Sequence, residues 1–277
     1  MKIGLIGCGN MARALARGWE RPVLCADPLA ERARELAGET GGEALASNAL
    51  VAQQADLVVL CHKPAQLQEV ARELAPHAKA VASILAGTTL AALRESYPDR
   101  PVYRFMPSLP VEVRQGAVVQ AADGEQDAEP DAQVRESNAQ VRESDAQVRD
   151  LFAELGTLVT LPEAQVDVAM GLMSCGPAYL ALVAEAQVDA GVRHGIPAAQ
   201  AAALVTQTMA GTAELLRRRD YDTLAVRREV SSPGGVTARG IDALERGGLR
   251  AAFGAAMDAV VGKGPRRGPK RHRAEER

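Results

Sequence analysis

The residues with the clearest chemical purpose come first in the chain. Gly7-Cys8-Gly9-Asn10-Met11-Ala12 is a GxGxxA that follows the apolar run Ile3 to Ile6 and opens a stretch of helical composition. The first glycine of such a turn permits a tight bend and the second lets the backbone approach a pyrophosphate. The small residue at the end allows close packing of helix on sheet. Unpaired N–H groups and the positive end of the helix dipole then favour phosphate. Asp27 stands 20 residues after Gly7, where an acidic side chain bonds a ribose 2′-hydroxyl. These residues predict a nicotinamide dinucleotide site built from Gly7, Gly9, Asn10, Met11, Ala12 and Asp27. A carboxylate at Asp27 tilts the choice toward NADH, and Arg32 or Arg34 could offset the charge of a 2′-phosphate, so the cofactor is NADPH or NADH. Lys63 and Pro64, in Cys61-His62-Lys63-Pro64, end a later strand where loops line a ligand crevice, with Pro64 suited to a first helical turn. His62 reads as a strand-end residue without a catalytic task.

Two further motifs lie far downstream. Ser231-Ser232-Pro233-Gly234-Gly235-Val236-Thr237 combines paired glycines with a hydroxyl at a helix start. That composition fits an anion-binding nest for a carboxylate and equally a connecting loop with a threonine cap. Ser174-Cys175-Gly176-Pro177-Ala178-Tyr179 reads as a helix break, with Pro177 at the first position of the next helix.

The surrounding elements fall into two halves. Strands are expected at Ile3 to Ile6, Val23 to Ala26, Leu57 to Cys61, Ala80 to Leu85 and Val102 to Phe105, continuous in apolar character as strands buried on both faces are. Helices fit between them at Met11 to Gly18, Leu29 to Ala37, Ala65 to Ala75 and Leu90 to Tyr97, and Ala117 to Ala121 and Thr157 to Leu161 could extend the sheet. The alternation predicts an α/β fold, an N-terminal Rossmann-type doubly wound parallel sheet over residues 1–162. Residues 163–261 read as an all-helical domain, with helices near 163–173, 177–194, 198–219, 236–246 and 249–261. A basic tail, 262–277, reads as disordered.

In an insertion at about 123–150 a seven-residue unit is written three times, DAQVRES, NAQVRES and DAQVRDL, running from Asp131 to Leu151. One Val per unit, at 134, 141 and 148, is half the apolar content of a coiled-coil repeat. A solvated helical extension is expected, with a partner-binding helix as the alternative.

The 277 residues carry 32 Lys/Arg against 35 Asp/Glu, a net charge of −3, and 47% are hydrophobic. That excludes a largely disordered chain, and positive charge gathered in the tail argues against a nucleic-acid-binding body. Four cysteines, Cys8, Cys25, Cys61 and Cys175, lack metal-site or redox-pair spacing, so reduced thiols and no metal are expected. No signal peptide or membrane span is read, because Gly176-Pro177 breaks the long uncharged run Val168 to Ala184. A cytoplasmic location is expected.

The motifs together resemble the pyrroline-5-carboxylate reductases. The stretches that carry the resemblance are Ile6 to Ala12, Lys63-Pro64, Ser83 to Gly87, Arg104-Phe105-Met106-Pro107, Gly176-Pro177-Ala178-Tyr179, Gln207-Thr208 with Gly211, and Ser231 to Thr237 followed by Leu244-Glu245. The resemblance spans about residues 2 to 261, outside the heptad segment and tail. It implies reduction of 1-pyrroline-5-carboxylate to proline, a helical domain that builds a homodimer or higher homo-oligomer, and substrate near the subunit interface. It further implies that Ser232, Gly234, Gly235 and Thr237 bind the substrate carboxylate, with Thr237 near the ring nitrogen. Two departures stand out. The family's Ser-Gly-Ser is here Met173-Ser174-Cys175, and its Met-Pro-Asn-Thr-Pro is Met106-Pro107-Ser108-Leu109-Pro110. They keep a related imine or oxo-acid reductase, or a cofactor-binding sensor without turnover, as alternatives.

Overall fold

The structure is a computed structural model that describes residues 1–122 and 137–262, with side chains in the second segment from residue 143 onward. Two compact units divide it, Met1–Pro177 and Ala178–Arg277.

The first unit is an eight-stranded sheet of β1 (Ile3–Ile6), β2 (Leu24–Ala26), β3 (Glu43–Ala44), β4 (Leu57–Leu60), β5 (Val81–Ser83), β6 (Val102–Pro107), β7 (Gly116–Ala122) and β8 (Gly156–Pro162). Their order is β3-β2-β1-β4-β5-β6-β7-β8, with β1 to β6 parallel. The helices of this unit are α1 (Asn10–Trp19), α2 (Ala30–Thr40), α3 (Asn48–Gln54), α4 (Leu67–Leu74), α5 (Leu90–Ser96), α6 (Ser137–Ala153) and α7 (Glu163–Met173). Alternate strand residues bury into opposite layers. Ile3 and Leu5 join Leu15, Trp19, Leu36 and Phe152 on the α1–α2–α6 side. Ile6 joins Val51, Val70 and Leu93 on the side of α3, α4, α5 and α7. Continuous apolar strands are what such two-sided burial requires.

Three expectations change here. The sheet is mixed, because β7 runs antiparallel to β6. Eight residues, 108–115, separate these strands, too few for the crossover that a parallel pair needs. The helix α6 supplies such a crossover between β7 and β8, which pair in parallel. Second, β3 and α3 are additional elements, and the expected Ala65 to Ala75 helix is a 3₁₀ turn, Pro64–Gln66, followed by α4. Third, the heptad segment is not wholly solvated. Val148, in the third unit, is 1% exposed and packs with Leu151 and Phe152 in the core. Phe152 stacks on Phe105 with centroids 3.8 Å apart, and the Trp19 indole N–H donates to the Leu151 carbonyl at 2.8 Å. Asp145 accepts a 2.5 Å hydrogen bond from Tyr103. The remaining expectations for 123–136 and for the tail beyond 262 fall outside the described residues.

The compact first unit extends beyond residue 162 because α7 lies on the sheet, with Val166 and Ala169 buried in the second layer. The other unit is helical: α8 (Gly176–Arg193), which begins two residues before the division, α9 (Ala198–Arg218), α10 (Thr223–Glu229), α11 (Val236–Arg246) and α12 (Leu249–Val260). The short α10 was not foreseen. Its N-cap is Asp222, which accepts from the N–H groups of Leu224 and Ala225. This unit buries little of its own apolar surface, leaving Leu182, Leu204 and Val236 exposed. By length and composition the helical run Glu163–Arg193 could cross a membrane, at mean hydropathy 1.5. A turn at Ser174-Cys175 interrupts it.

Candidate active site

The carboxyl ends of β1, β2 and β4 meet at the glycine turn. Gly7 adopts φ +94°, and a Cβ there would stand 3.0 Å from the Cys61 and His62 backbone, so both conformation and space demand glycine. Its N–H donates to Ala26 at 2.9 Å. Gly9 is the N-cap of α1, and no side chain caps the helix. A Cβ at Gly9 would meet nothing within 4 Å. No acidic residue occupies the first turn, so its N–H groups and dipole stay available for an anion. Ala12 is buried against the sheet, Met11 packs against the same core, and Asn10 is exposed at the rim.

Asp27 closes the loop from the β2 side. One carboxylate oxygen accepts the Cys8 N–H at 2.8 Å and the other the Leu29 N–H at 2.8 Å. Each oxygen keeps a second lone pair, so a ribose hydroxyl can still be bonded, but the carboxylate is first a strap between two backbone loops. Two cavities adjoin here. One, of about 1080 Å³, is lined by Gly9, Asn10, Arg13, Arg32, Arg34 and Leu109. The other, of about 360 Å³, is lined by Gly7, Asp27, Arg32, His62 and Lys63 among others. Lys63 is exposed at the cavity edge, and its N–H donates to Gln66 at 3.3 Å over the turn that Pro64 opens. The open space at Gly9, the uncapped α1 terminus and these adjoining cavities fit a dinucleotide.

Neither His62 nor the thiols of Cys8 and Cys61 at this cleft are prepared for proton transfer or nucleophilic attack. The His62 ring lies 2.9 Å from the Lys63 carbonyl through Nδ1, and its Nε2 is buried without a partner. Burial holds its pKa below the ordinary 6.5, keeping the ring neutral at neutral pH. The Cys8 thiol is pushed up by its hydrogen bond with Cys25 and by burial, and burial also raises Cys61. Protonated buried thiols are poor nucleophiles. All four cysteines are free, and no metal-binding cluster occurs among the described residues.

Two of the departures, Ser108 and Ser174, make structural bonds. Ser108, where the family has Asn, exchanges two hydrogen bonds with the Ala117 backbone, at 3.0 and 2.9 Å. Leu109 is 46% exposed and borders the larger cavity. Ser174 donates to the Pro107 carbonyl at 3.0 Å. A wholly buried Arg104 bonds Glu163 at 3.0 Å and Asp167 at 2.6 Å. Sequence reasoning missed this cluster, although a lone Arg inside the apolar strand Val102-Tyr103-Arg104-Phe105-Met106 was its signal.

In the second unit, Gly234 takes φ +67° and Gly235 is the N-cap of α11. The Gly235 N–H closes a turn onto Ser232 O at 3.0 Å, so it is not free for a ligand. Arg239 donates to Gly234 O at 3.0 Å, bringing positive charge to the loop. Thr237 is the second residue of α11 and not its cap, and its hydroxyl has no partner among the described residues. The threonine-cap reading is thereby corrected, and the hydroxyl is left available at a helix start.

A doubly wound sheet with an open glycine turn at the start of α1 defines a nicotinamide-dinucleotide-dependent oxidoreductase. Residues 2–87 match the family described as NADP oxidoreductase, coenzyme F420-dependent, and residues 163–265 match pyrroline-5-carboxylate reductase dimerisation. A pyrroline-5-carboxylate reductase of Thermus thermophilus is 36% identical over 95% of this chain and 97% of its own. The Streptococcus pyogenes 1-pyrroline-5-carboxylate reductase structure is 31% identical with a TM-score of 0.80, covering 95% of this chain and 97% of that one. The Plasmodium falciparum pyrroline carboxylate reductase with NADP bound is 25% identical with a TM-score of 0.79, over 95% and 96%. The chain belongs to the pyrroline-5-carboxylate reductase family.

Proposed function

We propose that the protein reduces 1-pyrroline-5-carboxylate to L-proline with NADPH or NADH. The observation that carries this reading is the open Gly9 position at the uncapped start of α1, in a chain of this family. Reduction of a C=N bond needs hydride on carbon and a proton on nitrogen, and a protonated imine is already electrophilic. A cleft without a poised acid therefore suits the reaction. The bound reduced nicotinamide supplies the hydride; the chain's work is orientation and exclusion of water. Gly7, Gly9, Asn10, Met11 and Ala12 hold the pyrophosphate side, Asp27 flanks the adenosine side, and Lys63 and Pro64 line the cofactor cleft at the end of β4. Ser232, Gly234, Gly235 and Thr237 form the carboxylate loop. Within it the Thr237 hydroxyl bonds the substrate, while Gly235 contributes the turn rather than its N–H.

Asp27 favours NADH through charge, whereas exposed Arg32 and Arg34 on α2 favour NADPH. The exposed apolar residues of the helical unit, among them Leu182 at 65% and Val236 at 75%, suit a homodimer or larger homo-oligomer rather than a lipid bilayer. That reading matches the dimerisation region. Free thiols throughout suit the reducing cytoplasm. The test is oxidation of NADPH or NADH by purified protein with pyrroline-5-carboxylate. Turnover with proline as product supports the reading, and cofactor binding without turnover favours the sensor.

A further inference from the structure

In a doubly wound sheet a dinucleotide lies across the carboxyl ends of the strands. Here Asp27 on β2 takes the adenosine end and the α1 start takes the pyrophosphate. The nicotinamide half therefore falls toward β4, β5 and β6, whose carboxyl ends include Met106-Pro107 on β6 and the Ala86–Thr89 loop after β5.

Both of these segments are fastened to α7. At its beginning, Glu163 and Asp167 bond the buried Arg104 of β6. Glu163 also accepts the Leu90 N–H at 2.6 Å, at the exit of the loop after β5. Immediately past its last turn, the Ser174 hydroxyl donates to Pro107 O at 3.0 Å. Arg104 to Pro107 is three strand residues, about 10 Å, and Asp167 to Ser174 is seven helical residues, about 10.5 Å. Helix and strand thus run side by side with matched rises, and Ser174 is the far rivet of that pair.

We propose that Ser174 is a positioning residue for hydride transfer: through Pro107 it fixes the end of β6 beside the nicotinamide, with α7 anchored by the Arg104–Glu163–Asp167 cluster. The inference rests on the reductase reading for its chemistry and on geometry for the placement. The strand end stays paired to β7 through Pro107 and Val118, so loss of the bond releases it from α7 alone and leaves the pyrophosphate loop untouched; the hydride geometry suffers while cofactor affinity is retained.

The test compares wild type, Ser174→Ala and Ser174→Thr in the full chain. Calorimetry gives the NADPH dissociation constant, the fluorescence lifetime of bound NADPH reports how rigidly its nicotinamide is held, and steady-state kinetics give kcat. Ser174→Ala should keep NADPH affinity within about twofold while kcat falls between about tenfold and a hundredfold. The bound-NADPH lifetime should shorten, and Ser174→Thr should recover lifetime and kcat. An unchanged lifetime in a Ser174→Ala protein that only melts earlier would make the bond a structural joint and overturn the proposal. An equal fall in NADPH affinity would overturn it as well. Asp167→Asn, half exposed and milder, should move lifetime in the same direction. Because the lifetime needs no imine, failure of wild type to turn over pyrroline-5-carboxylate would strike the reductase reading while the lifetimes still decide Ser174.

Discussion

The backbone N–H of Cys8, between the two glycines of the turn, donates a 2.8 Å hydrogen bond to the Asp27 carboxylate, tying the phosphate loop to the end of β2. The residue that charge arguments assign to cofactor choice is therefore also a brace. Asp27→Ser should shift the kcat/KM ratio toward NADPH by roughly tenfold, or about 1.4 kcal/mol. Serine can replace only part of the bonding to Cys8 and Leu29, so the variant should also lose about 1.5–3 kcal/mol of stability. Ratios measured with both cofactors, alongside melting curves, check both halves.

Gly9→Asp separates folding from binding. The open space around a Cβ at Gly9 predicts a folded variant with near-native melting temperature. Its carboxylate would occupy and repel the pyrophosphate position, so calorimetry should detect no cofactor binding. Near-native affinity would show that the pyrophosphate lies elsewhere.

His62 gives a pH signature. Burial lowers its folded-state pKa below 6.5, so the unfolded chain takes up a proton first as pH falls. Its contribution is intact above about pH 6.5 and is eroded below that value, down to the folded pKa. His62→Val should remove this slope. The melting-temperature difference between wild type and variant should be flat at higher pH and swing against wild type on acidification. A constant difference would place the ring in water.

Deleting two whole heptads, Asp131 to Ser144, should leave fold and turnover intact. The residues of α6 that meet the sheet layer, Asp145 through its bond to Tyr103 and Val148, Leu151 and Phe152 by packing, all follow the deleted segment and keep their places. By contrast Val148→Ala, which removes buried methyl groups from the core, should cost about 1–2 kcal/mol. Aggregation of the deletion protein would reveal packing by the removed units.

These heptads also show where the sequence stops being legible. The third unit differs from the others chiefly by Leu151 where they end in Ser, and the other anchors that bury Val148, namely Phe152 and the facing Trp19 and Phe105, lie outside the repeat. The strands β1 and β4 were legible because unbroken apolar runs mark two-sided burial. The two-residue β3 and seven-residue α3 were not, since Val51 and Ala52 are the only residues of α3 that become buried. At the site, the glycine turn announced itself by spacing. The Ser174–Pro107 bond joins residues 67 apart, and no local pattern signals it.

Thr237→Ala probes the carboxylate loop. Since Gly235 caps α11, removing the hydroxyl should leave the melting temperature nearly unchanged. One lost bond to a charged group, about 1.5–3 kcal/mol, should lower kcat/KM for the imine by roughly tenfold to a hundredfold while cofactor affinity stays constant. Unaltered kinetics would remove Thr237 from the site.

The most direct measurement is a coupled one on purified full-length protein: the rate of NADPH or NADH oxidation with 1-pyrroline-5-carboxylate, and the proline formed. The account predicts saturable turnover with one proline made per reduced cofactor consumed. Tight cofactor binding with no proline formed would contradict it.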